Sequence, residues 1–297
     1  MSLRVNPNPM PGLLAQLAQN LRQENEALLQ VSSTRRLNRL SDEPVSVAQL
    51  VRNRSQFRAA AQFSSNISSV RGLLQVADSA LNSVVTALTR AVSLGVRGAN
   101  STLSPENRAA IAEELIGLKE QLRGQANISY QGNYIFAGTA FSTQPFVDDA
   151  GQPSGLRYDG NTGVNDVQIT EGQSLPVNVP GSQIFTAPGA DVFLGLAHLI
   201  TALQTGANIA AATGEVQAAF NRVNGQRSFY GGALARLDTA SSFLESEKFE
   251  LSQQENDLVA ADMIYAASAL VQTVTARNAT LAAAGKLSQL SLLDFLR

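Results

Sequence analysis

The residues of this 297-residue chain that could do chemistry are few and poorly placed for it. Cysteine is absent, so neither a disulfide framework nor a thiolate metal site can form, and His198 is the single histidine, which leaves little for a transition metal to bind. His198 sits in an apolar helical pattern over residues 193–203, so a buried or interfacial structural place is expected rather than a base or ligand. Glu113-Glu114 and Asp148-Asp149 offer carboxylate pairs, but neighbours on a helix point about 100° apart and do not converge on one substrate. Solvated faces are expected for both. A calcium loop starting at Asp148 fails at Ala150 and Gln152, where the next ligands belong. Asn-x-Ser/Thr triplets at Asn66, Asn100, Asn127 and Asn278 are expected by chance in a chain this rich in Asn, Ser and Thr. No catalytic residue, cofactor or metal is expected, and the chain reads as a non-enzyme.

What remains is a chain suited to packing. Hydrophobic residues make up 44%, ample for a core. Charged residues are only 15%, against about 25% in typical domains, which suits a surface that other subunits cover. A net charge of -2 argues against nucleic acid as a partner, because phosphate neutralisation needs a basic surplus. No secretory signal peptide is visible at the N-terminus. The longest apolar stretch, residues 192–200, is far shorter than the roughly 20 residues that span a bilayer, so a membrane is not an expected partner.

Periodicity supplies the elements. Ala60, Phe63, Ile67, Val70, Leu74, Ala77, Leu81, Val84, Leu88 and Ala91 recur at alternating steps of three and four, an unbroken heptad seam on the order of 50 Å long at about 1.5 Å per residue. Ser41, Asp42 and Pro44 mark its start. Ser104-Pro105-Glu106 opens a second helix with Ile111, Leu115, Leu118 and Leu122 inward. From about Tyr134 to Thr186, Gly, Pro, Asn and Asp punctuate short alternating segments such as Val167-Gln168-Ile169, which predicts a small β insert. Asp159-Gly160 and Asn161-Thr162-Gly163 are its expected hairpin turns.

Helical periodicity then returns in Val216, Phe220, Val223, Arg227, Tyr230, Leu234, Leu237, Ser241, Leu244, Lys248, Leu251, Glu255 and Leu258. Gly231-Gly232 inside it predict a kink or a close backbone approach. An Ala-rich amphipathic stretch, residues 264–281, closes in Leu287, Leu290, Leu293 and Leu296. Helices at both ends of a central insert imply a chain that runs out, turns and comes back. Arg35, Arg36, Arg39, Arg52, Arg54 and Arg58 face only Asp42 and Glu43, a net of +4, whereas residues 245–262 carry a net of -5. Antiparallel pairing of these stretches is expected to place Arg52, Arg54 and Arg58 beside the acids, choosing register more than adding stability.

Residues 32–44 read Ser-Ser-Thr-Arg-Arg-Leu-Asn-Arg-Leu-Ser-Asp-Glu-Pro, which resembles the Ser-Ser-Gly-Lys-Arg-Ile-Asn-x-x-Ser-Asp-Asp-Pro segment of flagellins and their hook-associated relatives. Arg36, Asn38, Ser41, Asp42 and Pro44 carry that match. Thr34 stands where glycine is usual and Glu43 where a second aspartate is usual, and Thr34 sets a question for any turn there that needs positive φ. Residues 132–139, Gly-Asn-Tyr-Ile-Phe-Ala-Gly-Thr, and residues 287–296, Leu-Ser-Gln-Leu-Ser-Leu-Leu-Asp-Phe-Leu, resemble the hook-filament junction branch more than filament flagellin.

The resemblance implies a structural subunit of the bacterial flagellum that joins hook to filament and templates flagellin assembly. It implies a mainly α fold, a long antiparallel coiled-coil or helical-bundle rod with a small inserted β domain. The expected division is an N-terminal assembly helix over residues 1–40, a helical rod over 41–138 and 187–262, a β insert over 139–186 and a C-terminal assembly helix over 263–297. The implied partners are other copies of the chain, the first hook-associated protein, flagellin and a flagellar export chaperone, with type III export and no cleaved signal peptide. Expected assembly contacts are Leu14, Leu17, Leu21, Leu28, Leu281, Leu290, Leu293, Phe295 and Leu296. Both terminal stretches are expected to become helical only when copies assemble, and the insert is expected to be an outer module whose removal leaves the helices folded. Filament flagellin and a coiled-coil signalling adaptor are the rival readings.

Overall fold

The computed structural model describes residues 10–39 and 43–295, with residue 10 and residues 287–295 as backbone only. Helices α1 (Met10–Ser33), α2 (Pro44–Gly98) and α3 (Pro105–Ala126) come first. Antiparallel hairpins follow: β1 (Ser129–Tyr130) with β2 (Asn133–Tyr134), β3 (Phe146–Asp148) with β4 (Leu156–Tyr158), and β5 (Asp166–Thr170) with β6 (Gln173–Pro176). After the short α4 (Gly181–Ile184), β7 (Thr186–Ala187) pairs with β8 (Ala190–Asp191). Helices α5 (Val192–Thr205), α6 (Ile209–Val259) and α7 (Met263–Phe295) complete the chain. It divides into two compact units, residues 60–246 and residues 1–59 with 247–297. The fold class is mainly α with a small β insert.

In the unit of residues 60–246, the α2 seam forms as its period requires. Every member from Ala60 to Ala91 is buried except Phe63, which packs against the core half-buried. Polar members of the α6 seam persist because they find partners, as where Arg227 holds Asp78 at 2.8 Å. At the start of α3 the Ser104 hydroxyl accepts the Asn107 N–H, with Pro105 in the first turn, and α3 packs on α5. Asp191 caps α5 by accepting the Phe193 and Leu194 N–H groups.

Three expectations change in this unit. The insert is not separately cored: Phe146 lies 5.4 Å from Phe185 and 5.3 Å from Phe193 of α5, ring centre to ring centre, and these belong to one buried cluster with the helices. The turns closing the hairpins are residues 149–155 and Glu171-Gly172, the latter at φ +74°. Asp159-Gly160 and Asn161-Thr162-Gly163 instead form the link from β4 to β5, where Asn161 Oδ1 accepts the Thr139 and Gly163 N–H groups. Helix α6 runs unbroken through Gly231-Gly232, and no other group approaches within 4 Å of where either Cβ would stand.

In the unit of residues 1–59 and 247–297, α1 packs on α7. The beginning of α2 meets the end of α6: the buried Asn53 amide donates to the Leu251 carbonyl at 3.0 Å. Arg54 pairs with Glu255 at 2.7 Å, the predicted antiparallel register, while Arg52 and Arg58 stay exposed. Of the terminal stretches expected to order only on assembly, Met10–Ser33 and Met263–Phe295 are helices packed on each other.

Candidate functional site

Helix α1 presents two stripes. The stripe toward α7 follows Leu13, Leu17, Asn20, Glu24, Ala27 and Val31, all buried or half-buried. Its centre is polar: the Asn20 amide donates to the Thr280 hydroxyl at 3.0 Å and accepts from Gln16 at 3.1 Å, and Arg277 donates to Glu24 at 2.7 Å. The second stripe, Leu14, Leu21 and Leu28, is 61%, 41% and 51% exposed, and Leu281 on α7 is 48% exposed. The pair thus carries a polar layer, Asn20 and Glu24, in the middle of an otherwise apolar inner stripe, and leaves a second apolar stripe outside. Of the expected contact residues, Leu17 turns inward to α7 and Leu14, Leu21, Leu28 and Leu281 face outward. The side chains of Leu290, Leu293 and Phe295, and the whole of Leu296, lie outside the described residues.

The segment that carries the family resemblance forms a joint. The Asn38 amide folds back onto the Arg35 carbonyl at 2.8 Å, and its Oδ1 accepts the Ser33 hydroxyl at 2.8 Å. Arg35 then meets Ala260 in an antiparallel bridge: the Arg36 N–H donates to the Val259 carbonyl at 2.7 Å and the Ala261 N–H to the Thr34 carbonyl at 3.1 Å. The Arg36 guanidinium reaches the Leu258 carbonyl at 3.0 Å and pairs with Glu43. Carbonyls of a last helical turn lack intrahelical partners and favour a cation, which accounts for an arginine at the end of α6. Thr34 adopts φ +56°, so the turn keeps positive φ although a β-branched residue occupies it. Pro44 starts α2; Ser41 and Asp42 lie outside the described residues.

The residues first weighed for chemistry are dispersed. His198 is half-exposed rather than buried, its Nδ1 2.7 Å from Glu215. Glu114 is held by Arg90 at 2.7 Å, which keeps its carboxyl below the usual range. Asp148 and Asp149 pair with Arg123 and Arg157. Burial pushes the Asp191 carboxyl up against its capping bonds, as befits a structural cap. Among the described residues no cluster of His, Cys, Asp or Glu is arranged to hold a metal, and no helix is long and apolar enough to cross a membrane. Sequence reasoning missed the polar centre of α1 and the arginine cap on α6; for the first, the steps of three and four from Leu13 to Val31 were the available signal.

Residues 11–140 match the bacterial flagellin N-terminal helical region. The chain is 28% identical to flagellar hook-associated protein 3 of Escherichia coli over 89% of this chain and 90% of that protein. It is 28% identical to the Salmonella typhimurium protein of the same name over 84% and 86%. A flagellin from Halalkalibacterium halodurans is 26% identical over 82% and 80%. In fold it is similar to the flagellar junction protein FlgL of Legionella pneumophila, with a TM-score of 0.62 at 15% identity, covering 71% of this chain and all of that one. The chain is thus similar over most of its length to flagellar hook-associated protein 3, and over residues 11–140 to the N-terminal helical region of bacterial flagellin.

Proposed function

We propose that this chain is the structural subunit that joins hook to filament in a bacterial flagellum, that copies of it pack side by side through the outer stripe of the α1–α7 pair, and that the resulting ring templates flagellin. The observation that carries the packing mechanism is the exposed set Leu14, Leu21, Leu28 and Leu281 on helices whose shared centre is polar. Burying a leucine side chain contributes about 1.5–3 kcal/mol, and only neighbouring chains offer that burial. In this reading the first hook-associated protein lies beneath and flagellin above. An export chaperone covers the C-terminal helix before type III export, no signal peptide is removed, and no step is catalytic.

Electron microscopy of flagella from cells lacking the chain tests this. The expected result is intact hooks without filaments and flagellin shed into the medium, restored by adding the purified chain. The flagellin relatives favour a second reading, filament flagellin itself. Under that reading the purified chain extends into long filaments on hook fragments, whereas a junction subunit stops after a short collar.

A further inference from the structure

The joint does more than connect helices. We propose that it is a latch that holds the α1–α7 pair in position for docking, with Glu255 as its positioning residue and Thr34 as the strained element that opposes closure. The functional consequence rests on the junction reading above; the latch chemistry does not.

The connector after α1 and the three-residue connector between α6 and α7 are fastened to each other. The Arg36 and Ala261 amides make the two backbone bonds flanking the Arg35–Ala260 pair. Glu255, one turn before the end of α6, gathers two arginines from different elements: Arg54 of α2 through Nε at 3.0 Å and Nη2 at 2.7 Å, and Arg35 of the connector at 3.5 Å. One carboxylate therefore ties α2, α6 and the connector together. All three bonds end on the one oxygen, Glu255 Oε1, and each is assisted by the charge of the guanidinium that donates it. Against this stands Thr34, whose φ of +56° is costly for a β-branched residue and persists only where the surroundings over-determine it. Its carbonyl is the acceptor for Ala261, so the strained residue is itself a bonded part of the bridge. If the bonds around it are released, Thr34 relaxes to negative φ, the bridge stays open until positive φ is regained, and α1 takes a new heading. A latch of this kind has a closed state set by Glu255 and an open state favoured by Thr34.

Amide hydrogen exchange on the full chain reads the latch directly. Glu255→Gln keeps the shape and removes the charge; the Arg36 and Ala261 amides are expected to exchange about tenfold faster while amides in the middle of α2 are unchanged. Thr34→Gly removes the strain, and the same two amides are expected to slow about threefold. Docking is read by adding each variant to isolated hooks. Glu255→Gln is expected to lose collar formation. Arg35 and Ala260 form a non-hydrogen-bonded antiparallel pair, where Cα atoms stand about 4.5 Å apart, within disulfide range. The chain has no other cysteine, so Arg35→Cys with Ala260→Cys, oxidised in the Glu255→Gln background, is expected to restore the collar, and reduction to abolish it. Unchanged exchange in Glu255→Gln, or equal exchange in Thr34→Gly and the parent, overturns the latch. So does faster exchange with normal docking, or a tether that restores nothing. If the parent chain itself forms no collar, the junction reading fails, and the two exchange experiments still decide the latch.

Discussion

Tyr230 is the residue on which the insert and α6 are pinned together. Its ring is fully buried and its hydroxyl oxygen accepts the Val179 N–H at 3.3 Å. Burial raises its pKa well above the ordinary tyrosine value, so the folded chain keeps it neutral where the unfolded chain ionises. The stability it contributes is present below about pH 10 and falls above it, by about 1.4 kcal/mol per pH unit. Tyr230→Phe leaves Val179 without a partner and is expected to cost about 1–2 kcal/mol at neutral pH, while flattening the alkaline loss. Urea titrations at pH 7 and pH 11 check both signs. Sequence placed Tyr230 in the α6 seam correctly, because period alone decides which face is inward. It could not supply the hydrogen bond, since Val179 arrives from a distant turn-rich segment. His198 is not buried for a related reason: an apolar neighbourhood in sequence does not say which side of the helix the ring occupies, and the ring meets Glu215 at the surface.

At the scale of the element, α1 shows where periodic reading misleads. Leu14, Leu17, Leu21 and Leu28 read as one seam because apolar residues were followed. The stripe that meets α7 includes Asn20 and Glu24, which such a reading skips. Polar layers inside a helix pair cost stability and specify register. Glu24→Arg is expected to destabilise the pair by about 1–3 kcal/mol by facing Arg277 with a second cation, and Glu24→Arg with Arg277→Glu to recover most of it. Amide exchange at the buried Ala27 and Ala266 is the measurement; equal protection in the single and double variants would refute the pairing. The long seam of α2, by contrast, was legible throughout, since its ten positions are all apolar, and the start of α3 was legible because the cap at Ser104 and Pro105 uses chemistry that acts within one turn. Hairpin turns were less legible because Asp-Gly and Asn-Thr-Gly serve links between hairpins as well as the hairpins themselves.

At the scale of the whole molecule, the turn-rich composition of the insert announced β structure, while its buried residues belong to one cluster with those of the helices. Replacing residues 139–186 by a short Gly/Ser bridge removes Phe146 and Phe185 and uncovers Phe193 and Tyr230. Each large buried side chain contributes about 1.5–3 kcal/mol, so several together approach the about 5–15 kcal/mol net stability of a domain. Loss of the cooperative melt by circular dichroism is expected; a melt like the parent's would show the insert to be separable. The outer leucines should behave oppositely. Leu14→Ser with Leu21→Ser and Leu28→Ser is expected to leave the melting of residues 60–246 unchanged, since substitutions at exposed sites usually shift stability within about 0.5 kcal/mol each, and to abolish collar formation on hooks. A variant that still builds collars would remove these residues from the contact.

The spacing of those leucines also carries a handedness. Leu14, Leu21 and Leu28 recur every seven residues, whereas a straight α-helix returns to the same face only after slightly more than seven, a lag of about 20° per repeat. A neighbouring helix that stays on the stripe must follow that lag around α1. In the packing proposed above, a neighbouring helix that followed the stripe would wind about α1 in a left-handed sense, a chirality carried by the spacing of three side chains.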